Sequence, residues 1–168
     1  MPFLLRKVRR PRWYHNVNLG WLQQGEIPAD PLTDLDTQSN KLSLWHVEDD
    51  ESNLDQVVTA IAATREHLDK VDYALLDQRY IWQLDIQVEK TPGGTPLAEA
   101  DLWHRDLTHL SAQKLLDLAK VMWDRARTAR RPEKAVRQLL VKAVDSGRID
   151  TSKLKDTLRS EIGSSALA

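Results

Sequence analysis

Carboxylates crowd into one short stretch of this chain. Glu48-Asp49-Asp50-Glu51 follows directly on an apolar run, His46 stands just before it, and Asp77 closes a second apolar run. Carboxylates at strand ends gather magnesium or manganese in phosphoryl-transfer and nuclease sites. If the two runs are neighbouring parallel strands, Asp49, Asp50 and Asp77 lie side by side, and a metal-dependent phosphodiesterase built on the loop 48–51 is one reading. The competing reading needs no metal. Acids ahead of a helix complement its dipole and sit in solvent, and no lysine of nuclease spacing stands with these. No metal and no other cofactor is expected.

The five histidines are the other candidates for acid–base or metal chemistry. His104 and His109 are five residues apart, about 140° round a helix, and cannot share a ligand face. Asp101 with His104, or Asp106 with His109, stands at three-residue spacing. Without a third ligand such pairs read as surface or capping contacts. His15 and His67 have no acidic constellation around them. His104-Arg105-Asp106 spells the central triplet of a protein-kinase catalytic loop, but Ser111 stands where that loop needs asparagine, and the chain has neither a glycine-rich phosphate loop nor an Asp-Phe-Gly triplet. Gly93-Gly94 has no lysine and hydroxyl beside it and reads as a turn between Pro92 and Pro96. No catalytic residue is assigned, and the chain reads as a non-enzyme.

Charge and tryptophan carry the stronger signal. The net charge of −1 hides five basic groups and no acid in the first twelve residues, nine acids against Lys41 alone from Glu26 to Asp55, and eight bases against two acids from Lys120 to Lys142. Six tryptophans against one phenylalanine is also unusual. Arg9, Arg10, Arg12, Trp13 and Tyr14 place the three residue types favoured at interface hot spots within six positions, flanked by proline, and form the candidate surface for a protein partner. The alternative for this segment is a wrap that plugs its rings into the core. Arg127, Arg130, Arg131, Lys134 and Arg137 form a second basic set, a candidate nucleic-acid surface on a pair of helices at 114–130 and 132–146. A solvated helix face accounts for the same residues.

These side chains must be positioned by an α+β fold. Leu42 to Val47 and Val71 to Asp77 read as strands, with a helix between them whose stripe is Leu54, Val57, Val58, Ile61 and Leu68 and whose N-cap is Ser52 in a capping box with Asp55. Leu44, Ile61 and Leu75 are expected to share one core layer. Phe3 to Val8 is a further short strand, and Leu84, Ile86 and Val88 alternate as another. From Leu97 the pattern reads as helical throughout. Ser111 caps one helix, Pro132 opens the next and Gly147 stops it. A short last helix follows Asp150, and 163–168 reads as a frayed end.

The expectation is a small mixed sheet around the strand–helix–strand unit at 42–88 and a C-terminal set of about three helices. An N-terminal wrap plus sheet region would cover 1–96 and a helical region 97–168. Cysteine is absent, no run is long and apolar enough to span a bilayer, and no signal-peptide core follows the N-terminus, which together read as a cytoplasmic protein that is not membrane-bound. The function expected is that of a non-enzymatic interaction protein, an accessory subunit of a larger assembly, with nucleic-acid binding as the alternative.

Overall fold

The computed structural model describes residues 1–13 and 19–163, so the expectations for Tyr14, His15 and the last five residues lie outside the described residues. The apolar runs become β1 (Phe3–Lys7), β2 (Leu42–Val47), α1 (Leu54–Ala63) and β3 (Val71–Asp77). Residues Val71 to Leu76 are all buried, which fits a strand covered on both faces. Then come α2 (Arg79–Gln83), β4 (Gln87–Lys90), β5 (His104–Thr108), α3 (Ala112–Arg125), β6 (Arg127–Arg131), α4 (Glu133–Asp145) and α5 (Asp156–Gly163). The fold class is α+β.

All six strands join one sheet in the order β4-β5-β2-β1-β3-β6, and every neighbouring pair is antiparallel. Two expectations are corrected here. The sheet is not mixed, because β2 and β3 run parallel but are not neighbours: β1 lies between them, pairing Leu5 with Trp45 on one side and with Leu75 on the other. The chain after Leu97 is not wholly helical either, since β5 and β6 both fall there. Their sequences, HRDLT and RTARR, carry almost no apolar residues, so the period-2 signal that marks a half-buried strand is missing. Of the basic set expected on a helix pair, Arg127, Arg130 and Arg131 sit instead on the edge strand β6, while Lys134 and Arg137 lie on α4.

Two crossovers build the layers. β2 reaches β3 through α1, and β5 reaches β6 through α3. Both moves go the same way across the sheet, but β2 and β5 point in opposite directions, so crossovers of one hand must lie on opposite faces. They do. α1, α4 and α5 bury Val57, Ile61, Leu140 and Leu158 against Leu5, Val47, Tyr73 and Leu75. α3 and the N-terminal wrap bury Leu118, Met122, Trp13 and Leu35 against Leu4, Leu44, Leu76 and Leu107. Leu44, Ile61 and Leu75 are therefore all buried, but Leu44 faces the α3 layer and the other two face α1.

Local signals hold in part. The Ser111 hydroxyl accepts from the Lys114 amide, and Gly147, at φ +71°, ends α4. The Ser52 capping box does not form: Asn53 is the residue before α1, and its side-chain amide ties Glu48 N–H to the His46 carbonyl. Gly93 is required for space. A Cβ there would stand 2.9 Å from the Trp45 ring, which the turn at 91–96 covers.

Candidate functional site

Strand direction sorts the charged residues to the two ends of the sheet. At one end lie the close of β2, the close of β3 and the start of β6, bringing the acidic loop 48–51, Asp77 and Arg127 together. At the other end lie the close of β1, the start of β3 and the close of β6, where Lys7, Lys70 and Arg130 gather.

The acidic end is internally satisfied. Glu51 pairs with Arg127, the Met1 amino group lies 3.6 Å from Asp49, and the Asp50 carboxylate accepts from the Ser52 amide. Asp77 accepts from the Arg79 amide at 2.9 Å and pairs with its guanidinium at 3.2 Å. The Ser52 hydrogen bond holds the exposed Asp50 carboxyl below its ordinary range. The arrangement proposed for a metal fails at its premise, because β1 separates the strand ends carrying Asp50 and Asp77. Among the described residues no group of three or more His, Asp or Glu side chains is placed to hold a metal ion.

Neither histidine–carboxylate pair read at helical spacing forms. Asp101 instead accepts from the Gly93 amide, and His109 Nδ1 meets the Thr108 hydroxyl. His104 is a core side chain on β5. It packs edge-on to Trp45 with centroids 4.9 Å apart, and its Nδ1 meets the Thr91 hydroxyl at 2.9 Å. Thr91 in turn donates to Asp106, which also accepts from Ser43. Among the described residues no base stands within hydrogen-bond reach of the Ser43 hydroxyl other than the carboxylate it already donates to, so the network fastens β2, β5 and the 91–96 turn.

Two buried carboxylates that sequence reasoning missed organise the basic end. Asp34, on a 3-10 turn at Asp30–Asp34, accepts from the Arg9 amide at 2.8 Å, from Trp13 Nε1 at 2.9 Å and from the Arg12 guanidinium at 3.0 Å. Asp72, on β3, is held by Arg130 through Nε at 2.6 Å and a terminal nitrogen at 3.0 Å, with the Arg10 amide at 3.4 Å. Burial pushes the Asp72 carboxyl up, but the hydrogen bonds and charge of Arg130, with Arg10 and Lys70, outweigh it and hold it below the ordinary range. The signal was present in sequence: a lone aspartate inside the run Val71 to Leu76 cannot be buried without a cationic partner.

These contacts place the expected site residues. Trp13 is 3% exposed and belongs to the core, so its ring is not part of an exposed surface. Arg12 is engaged with Asp34, while the Arg9 side chain is exposed. In the second basic set, Arg127, Arg130, Arg131 and Arg137 pair with Glu51, Asp72, Asp55 and Glu133, which leaves Lys134 as the exposed member without an ion pair among the described residues.

Two concave surfaces and one exposed aromatic cluster stand out among the described residues. A cleft of about 530 Å³ opens at the basic end between Lys7, Arg9, Arg65 and Arg130. An apolar groove of about 940 Å³ runs between α4 and α5 past Val141, Val144, Leu154 and Ile162. On α2, Trp82 is 55% exposed beside Arg79, whose guanidinium lies 5.2 Å above the Tyr80 ring. Among the described residues no helix is long and apolar enough to cross a membrane. Comparison with models of known protein families, with curated proteins and with solved structures finds no match to this chain.

Proposed function

We propose that this chain is a non-enzymatic interaction protein, an accessory subunit that docks on a protein partner through α2. The carrying observation is the exposure of Trp82 one helical turn from Arg79, with Tyr80 between them. Residues three apart on a helix share a face, so the indole and the guanidinium are presented together. Trp, Tyr and Arg dominate interface hot spots because they bury much area for little lost freedom. Arg79 is already restrained by Asp77 and by the Tyr80 ring, and buried Ile81 fixes the helix beneath, so little ordering remains to be done on binding. These are the residue types that the sequence offers at Arg9 to Tyr14, found on a different element. The cysteine-free composition supports a cytoplasmic setting.

The test is purification of the tagged full chain from its native host, with cross-linking to map contacts. Wild type should retain a stoichiometric protein cross-linked at α2, and Trp82→Ala with Arg79→Ala should lose it at an unchanged melting temperature. Trp21, 68% exposed, is the control, and Trp21→Ala should retain the partner. A partner kept by the α2 variant, or none kept by wild type, sinks the reading.

A further inference from the structure

We propose that the cleft at the basic end of the sheet binds a small soluble phosphate-bearing anion of two or more negative charges, a phosphate monoester or a diphosphate. The site is independent of α2 and of any protein docked there. Its walls come from three separate parts of the chain: Lys7 and Arg9 at the end of β1, Arg65 and Lys70 in the loop from α1 to β3, and Arg130 on β6. No local sequence preference gathers five cations from such distant positions.

The acids facing the cleft do not neutralise it. Asp72 is taken by Arg130, and Asp69 lies 3.5 Å from Lys70. Arg65 donates to the backbone carbonyls of Asp69 and Lys70 rather than to a carboxylate, and its Nε is buried without a hydrogen-bond partner. Lys7 and Arg9 have no side-chain ion pair among the described residues. Partial loss of water, then the charges of Arg65, Arg6 and Arg9, outweigh the opposing charge of Asp34 and hold the Lys7 ammonium below its ordinary value, so these cations feel one another in the free protein. Like charges held together at a cost in stability, in a concave site, mark a place where an opposite charge is expected.

The chemistry favours a compact anion over a nucleic-acid strand. A strand needs a basic track beyond the cleft, but the arginines that would extend it along β6 are already paired, Arg127 with Glu51 and Arg131 with Asp55. Among the described residues lining the cleft there is no Trp, Tyr or Phe on which an unpaired base could stack, and the one aromatic ring, that of His67, is tied to Glu161 at 3.2 Å. Guanidinium and ammonium groups converging in a cleft of about 530 Å³ suit the several acceptor oxygens of a phosphate or diphosphate.

Calorimetric titration of the full chain with sodium pyrophosphate and with inorganic phosphate, against sodium chloride at matched ionic strength, tests this. Wild type should show saturable binding of pyrophosphate with Kd below about 1 mM, and Lys7→Gln with Arg9→Gln should weaken it about tenfold or more. Arg9→Gln alone guards against a folding defect, because the backbone amide that anchors Arg9 to Asp34 is untouched; it should keep the wild-type melting temperature and still bind several-fold more weakly. No saturation at matched ionic strength overturns the proposal, as does equal affinity in the variants. Tight binding of a single-stranded oligonucleotide with none of pyrophosphate overturns it in favour of a nucleic-acid surface.

Discussion

The two ends of the sheet carry comparable numbers of charged groups and treat them in opposite ways. At the acidic end each carboxylate has a nearby partner, whether His46, Arg127, Arg79, the Met1 amino group or a turn amide, and most of these contacts are exposed and individually weak. At the basic end two acids, Asp34 and Asp72, are buried and fully engaged and a third, Asp69, is exposed beside Lys70, while Lys7 and Arg9 are left without an ion pair among the described residues. Charge density alone therefore does not mark a site. The informative difference is whether the folded chain supplies the counter-charge, and only at the basic end does it leave that to something else.

The comparison breaks hardest at the buried anchors. Asp34→Ala strands the Trp13 indole N–H and the Arg9 amide and frees the N-terminal wrap, and should cost about 3 kcal/mol or more in urea denaturation. A loss under about 1 kcal/mol would show that the wrap does not depend on this carboxylate.

Asp72→Asn comes next, at about 2 kcal/mol at pH 7, less than for a fully enclosed pair because Arg130 keeps some contact with water. Its pH dependence has a definite sign. The folded carboxyl is held below its ordinary value, so its contribution is complete above about pH 4 and is lost as the pH falls through the depressed value. The stability gap between Asp72→Asn and wild type should therefore close in acid, and a gap independent of pH would contradict the assignment.

At the acidic end the expected effect is small. Glu51→Gln removes the exposed pair with Arg127 and should change stability by no more than about 1 kcal/mol, in contrast to either buried anchor. Smallest of all, and opposite in sign, Lys7→Gln should be neutral or slightly stabilising at pH 7, because it removes a partly desolvated ammonium and its repulsion with Arg65, Arg6 and Arg9. Since the folded Lys7 pKa is lowered, wild type should regain that difference as the pH rises through the lowered value toward the ordinary lysine range near about 10.4. A clear destabilisation by Lys7→Gln would mean that the basic end has its own counter-charge, and the contrast between the ends would fall.

Sequence legibility followed burial. β3, α1 and α4 were readable because packing on an apolar layer writes a period into the chain, and the ends of α3 and α4 because Ser111 and Gly147 act through their own backbone neighbours. β5 and β6 were not: β6 is an edge strand that ladder hydrogen bonds hold with hardly an apolar residue, and β5, inside the sheet between β4 and β2, buries His104 and Thr108 with only Leu107 to write an apolar period. Trp13 could be read two ways from its neighbours, and the choice depended on Asp34, twenty-one residues away, reaching its indole.

The sequence by itself determined that this chain folds as α+β, that its charges are segregated, that an apolar helix joins the strands at 42–47 and 71–77 and that no cysteine chemistry is available. Tertiary structure decided the rest. Inserting β1 between β2 and β3 took the acidic strand ends apart, and placing β3 between β1 and β6 brought Lys7, Arg65 and Arg130 to one cleft. Strand order of this kind is set by which buried faces match across tens of residues, as Leu5 does against Trp45 and Leu75, and a local window of sequence holds no record of that partner.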